Sequence, residues 1–102
     1  MRMLLNVIIP NEKFNQAMID GTIGAKMSRI LEETKPEAVY FTEQHGKRGA
    51  YLVVDVASPE SVAALGEPWF LTFDAEVRFQ IVMRPEDLKK AGLEELGKRY
   101  AK

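Results

Sequence analysis

Ala38-Val39-Tyr40-Phe41-Thr42-Glu43-Gln44-His45-Gly46-Lys47-Arg48-Gly49-Ala50-Tyr51-Leu52-Val53-Val54-Asp55-Val56-Ala57 contains two runs rich in β-branched, aromatic and aliphatic residues. Residues 38–44 and 50–57 favour extended backbone, because such side chains pack well on a pleated surface. His45 to Gly49 joins them through a segment with two glycines, which predicts a hairpin. A hairpin in mid-chain leaves one question for each flank: whether a helix and a further strand lie beyond it.

Both flanks give that answer. Upstream, residues 3–9 read as a strand that stops at Pro10, which cannot donate to a sheet ladder. Asn11 to about Lys35 favours helix, with Asn11 as N-cap, Glu12 in the first turn and Pro36 beyond the end. Its apolar stripe rotates midway, from Phe14, Ala17, Met18 and Ala25 to Ile23, Met27, Ile30 and Leu31, across Asp20-Gly21-Thr22-Ile23-Gly24. A kink or break is expected there, since each glycine costs about 1 kcal/mol in a helix. Downstream, Ser58-Pro59-Glu60 opens a short helix to about Leu65, before Gly66 and Pro68. Residues 75–83 then alternate, Val77, Phe79, Ile81 and Met83 against Glu76, Arg78, Gln80 and Val82.

The order strand, helix, two strands, helix, strand predicts an α+β fold. It is the ferredoxin-like βαββαβ sandwich, a four-stranded antiparallel sheet under helices, in one domain spanning residues 1–102. From Pro85, Leu88, Ala91 or Gly92, Leu96 and Tyr100 recur at helical spacing, so an extra C-terminal helix over about 85–100 is expected to dock on something apolar.

Pairing Phe41 with Leu52 and Val39 with Val54 puts Val39, Phe41, Leu52, Val54, Val56, Val77, Phe79, Ile81 and Met83 under the helices. The opposite face collects Tyr40, Thr42, Tyr51, Val53, Asp55, Glu76, Arg78 and Gln80, with Leu4, Asn6 and Ile8 from the first strand. Tyrosines, aliphatics and opposite charges together are what a covered face needs, since charges must be paired and hydroxyls bonded once water leaves. A homodimer is expected, meeting through Tyr40, Tyr51, Val53 and Val82. A solvated sheet face is the alternative.

Composition narrows the chemistry. Fourteen basic residues against fifteen acidic ones leave a net charge of -1, so no global positive field draws nucleic acid or an anionic membrane. Arg48-Gly49-Ala50-Tyr51-Leu52-Val53 stands where an RNA-recognition motif would carry its strand signature. The base-stacking positions are Ala50 and Leu52, and Leu4 sits where a first-strand aromatic would, so no nucleic-acid partner is expected. The sequence holds no cysteine and one histidine, which rules out disulfides and thiolate sites and makes a poor transition-metal site. A cytoplasmic setting fits that composition, and the apolar start is too short to span a membrane.

Few side chains offer reactivity. His45 beside Gly46 reaches a cavity mouth or is merely solvated. Asp55, Glu76 and Arg78 combine a carboxylate acid or base with a guanidinium clamp, or form a structural ion pair. Trp69 and Phe70 wall a pocket or anchor the core. Gly21 and Gly24 lack the spacing of a dinucleotide loop.

The element order over residues 1–84, the mixed free face and Glu67-Pro68-Trp69-Phe70 before the last strand resemble the dimeric α/β-barrel branch of ferredoxin-like proteins. That group contains muconolactone isomerase and antibiotic-biosynthesis monooxygenase-like proteins. The resemblance implies two sheets facing each other across a dimer axis around a pocket for a small, often aromatic or lactone-like molecule, frequently without cofactor; no cofactor is expected here. It further implies a cofactor-independent isomerase or monooxygenase-like enzyme, or a non-catalytic ligand-binding dimer. The ligand site is then expected at Asn6, Tyr40, Tyr51, Asp55 and Arg78, with His45 or Trp69 at its edge.

Overall fold

Strand β1 (Arg2–Ile9) alternates half-buried and buried residues along its whole length, because Met3, Leu5, Val7 and Ile9 all point into the core. The computed structural model describes residues 1–101. After β1 come α1 (Asn11–Ile19), α2 (Ile23–Thr34), β2 (Ala38–Gln44), β3 (Lys47–Asp55), α3 (Pro59–Phe73), β4 (Glu76–Ile81), α4 (Pro85–Lys90) and α5 (Leu93–Tyr100). The sheet order is β2-β3-β1-β4, and every pairing is antiparallel. With the helices between β1 and β2 and between β3 and β4, this is the ferredoxin-like arrangement.

The expected break in the first helix is present at Asp20-Gly21-Thr22. Gly21 adopts φ +78°, a left-handed conformation that costs glycine little. The Asp20 carboxylate accepts from both the backbone and the hydroxyl of Thr22, fixing the turn. The N-cap is Pro10 rather than Asn11, which lies one residue inside the helix. The Asn11 side chain instead donates to the Gly46 carbonyl at 3.0 Å, tying the helix start to the β2–β3 turn.

The hairpin is tighter than expected. Gln44 pairs with Lys47, leaving His45 and Gly46 as a two-residue turn with φ of +54° and +80°. Lys47 to Gly49 therefore belongs to β3, and the register moves by two: Phe41 faces Ala50 and Val39 faces Leu52. An even shift keeps every side chain on its expected face. The outer corners of that face are not covered, however, and Phe41, Ile81 and Met83 are exposed.

Helix α3 does not end before Gly66 and Pro68 but runs through both. Leu65, Trp69 and Phe73, one helical stripe at i, i+4 and i+8, are all buried. Burying Trp69 and Phe73 recovers about 1.5–3 kcal/mol each, which offsets the roughly 3 kcal/mol that an internal proline costs. Gly66 lies against the Phe79 ring, where a Cβ would stand 2.6 Å from its tip.

The C-terminal helix is two short helices separated by Gly92 at φ +69°. Neither builds a packed interface with the sheet or the other helices, and Leu88, Leu93 and Tyr100 are exposed. Among the described residues the arm therefore lacks the expected apolar dock on the sheet or on α1–α3, and only Leu96 of its stripe is half-buried. The molecule measures 62 × 28 × 19 Å with a radius of gyration of 17.5 Å, against about 13 Å for a compact chain of 100 residues. No helix among the described residues is long and apolar enough to cross a membrane.

Candidate functional site

The helix-free face of the sheet takes the alternate residues of each strand, and pairing aligns them in rows. Tyr40 on β2 faces Tyr51 on β3, Tyr51 faces Asn6 on β1, and Asn6 faces Arg78 on β4. Four residues expected at the site from sequence thus form one cross-strand row, about 14 Å long at the usual strand spacing. Ala38, Val53, Leu4 and Gln80 form the row on one side; Thr42, Gly49, Ile8 and Glu76 form the row on the other.

The row combines apolar area with polar groups that lack partners. Tyr40 is 70% exposed and Tyr51 37%, so their rings offer stacking surface. Arg78 has no acidic group within salt-bridge distance among the described residues. Between these, the Asn6 side-chain oxygen is buried with no hydrogen-bond partner. Such an acceptor costs about 1–3 kcal/mol when left unpaired. A donor placed over the row would satisfy it, and an anionic group on the same molecule would meet Arg78.

The other expected site residues lie elsewhere. Asp55 faces Arg2 at the opposite end of β3, about 13 Å along the strand from Tyr51. Its carboxylate accepts from the Met1 ammonium at 3.0 Å, and that hydrogen bond and charge hold its pKa below the ordinary carboxylate range. It is an ion pair at the chain start, not the partner of Arg78. His45 sits exposed at the hairpin tip in the left-handed turn, beyond the Gln44–Lys47 pair rather than at the rim of the row. Trp69 is fully buried on the opposite, helix-covered face, its ring 6.4 Å from Phe73. The alternation of helix positions that buries Trp69 was obscured in the sequence by Pro68.

Gln44 also belongs to this face, beyond the residues expected there. Its side-chain oxygen lies 3.5 Å from the Tyr51 hydroxyl, at the hairpin end of the row. Continuing the period of two from Tyr40 and Thr42 would have placed it there.

No group of His, Cys, Asp or Glu able to hold a metal ion occurs among the described residues. No family model and no curated protein matches the chain. Among solved structures it is similar to "De novo designed protein Ferredog-Diesel", with 13% identity over 79% of this chain and 85% of that one and a TM-score of 0.45.

Proposed function

We propose that two copies of this chain meet through their free sheet faces and hold a small organic acid, of aromatic or lactone-like shape, over the Tyr40–Tyr51–Asn6–Arg78 row. The observation that carries this reading is the buried, partnerless Asn6 oxygen next to an unpaired Arg78. A face kept only for association would gain more from an apolar residue at position 6, because an unsatisfied acceptor is costly. Tyr40, Tyr51, Val53 and Val82 supply the apolar area of such an interface, in line with the dimeric α/β-barrel resemblance. A cytoplasmic setting accords with a chain that needs no disulfide.

Binding is favoured over catalysis by the positions of Asp55 and His45, both outside the row. A cofactor-independent isomerase or monooxygenase-like reaction is the second reading, and it rests on the Tyr40 and Tyr51 hydroxyls, the groups of the row that can pass a proton. The test is a thermal-shift and calorimetric screen of the full chain against benzoate and related small aromatic acids, repeated with Arg78→Met. Binding that weakens at least tenfold in the variant supports the reading. A ligand held equally well by a folded variant contradicts it.

A further inference from the structure

Glu76 precedes Arg78 by two residues on β4, so both side chains stand on the helix-free face, about 7 Å apart along the strand. Neither lies within salt-bridge distance of an opposite charge among the described residues. On β1, Asn6 is directly opposite Arg78 and diagonal to Glu76, which faces Ile8. An acceptor without a donor, an unpaired cation and an unpaired anion thus meet at one end of the row.

That set asks for more than an acid. A carboxylate on Arg78 would stand beside Glu76, a like charge, and would leave the Asn6 oxygen unpaired. An ammonium group next to the carboxylate removes both defects, because it donates to the Asn6 oxygen and offsets the Glu76 charge. Asn6 as a residue is half-buried, and the soft torsion of its terminal amide lets the oxygen turn toward the face.

Building on the acid site proposed above, we infer that the row takes an aromatic α-amino acid as its zwitterion, with the carboxylate on Arg78, the ammonium between Asn6 and Glu76, and the ring over Tyr51. The spacing agrees. In an α-amino acid the nitrogen lies about 2.5 Å from the carboxylate carbon, a separation that the long Arg78 and Glu76 side chains can straddle. One methylene beyond Cα puts the ring roughly 5 Å from the nitrogen, and Tyr51 follows Asn6 at one strand spacing of about 4.8 Å. The Tyr51 ring then meets the ligand ring, and Tyr40, next in the row, extends the stacking surface. All of these groups belong to one chain, so the zwitterion contacts do not require the sheet-face pairing.

L-Phenylalanine and 3-phenylpropionate differ only by the ammonium group. In calorimetric titrations of the full chain at neutral pH, L-phenylalanine should bind at least about tenfold tighter. That preference should shrink several-fold in Asn6→Val and in Glu76→Gln, neither of which alters a core residue. Phenethylamine, which lacks the carboxylate, should bind more weakly than L-phenylalanine, and equal binding would overturn the assignment. 3-Phenylpropionate held as tightly as L-phenylalanine, and lost in Arg78→Met, overturns the amino-acid assignment and leaves the acid site standing. A preference for L-phenylalanine undiminished in both Asn6→Val and Glu76→Gln overturns it as well. Absence of binding by L-phenylalanine and 3-phenylpropionate alike, at millimolar concentration, overturns it together with the acid site.

Discussion

Asn6 on β1 stands directly opposite Arg78 on β4, one with a buried oxygen that lacks a donor and the other with a guanidinium that lacks an acid. Asn6→Val removes the orphaned acceptor and suits a central strand. The expected gain is about 1 kcal/mol, or a rise in Tm of roughly 4–8 °C for a domain of this size. Affinity for an aromatic acid should fall in the same variant. A lower Tm would mean that the Asn6 side chain supports the fold.

Trp69 separates packing from binding. Trp69→Ala should cost about 3–5 kcal/mol in urea unfolding, since the ring is fully buried. Trp69→Phe removes the indole N–H, which has no partner, and should cost much less. Neither folded variant should alter ligand affinity, because Trp69 lies behind the sheet; a change in affinity for Trp69→Phe would place the site on the helix side.

Gly66→Ala should destabilise by about 1–3 kcal/mol, because the added methyl meets the Phe79 and Phe70 rings. Gly24→Ala, in α2 with open space around it, should instead gain up to about 1 kcal/mol. Denaturant midpoints of the two variants should move in opposite directions. Equal shifts would show that Gly66 is not the contact that holds α3 to β4.

The Asp55 carboxyl should titrate below the ordinary carboxylate value, through its hydrogen bond to the Met1 amine and then the charge of that amine. A depressed folded pKa contributes stability above the unfolded pKa, and that contribution is lost as pH falls through the folded one. Asp20, held by Thr22, and Asp87, held by the Arg84 backbone, act in the same direction. Acetylating the N-terminus should raise the Asp55 value measured by NMR toward the ordinary one. An unchanged value would contradict the pairing.

Much of this architecture is legible from residue order. Strict alternation fixes which face Tyr40, Tyr51, Asn6 and Arg78 share, and a register error of two at Phe41 leaves that assignment intact. Alternation says nothing of distance along the strand, so Asp55 shares their face while lying far from them. Pro68 reads locally as a helix stop, and only the buried Leu65–Trp69–Phe73 stripe overrides it. The arm's apolar spacing is visible in the sequence, but that it builds no packed interface with the sheet or with α1–α3 among the described residues is a property of the fold.

Whether the Tyr40–Tyr51–Asn6–Arg78 row binds a small organic acid is tested most directly by amide and side-chain NMR shifts of the full chain, recorded while benzoate and related aromatic carboxylates are added. The perturbed resonances should cluster on Asn6, Tyr40, Tyr51 and Arg78, and Arg78→Met should abolish the pattern. Perturbations centred on Phe14, Met27 and Phe41, or none for any acid at millimolar concentration, would contradict it.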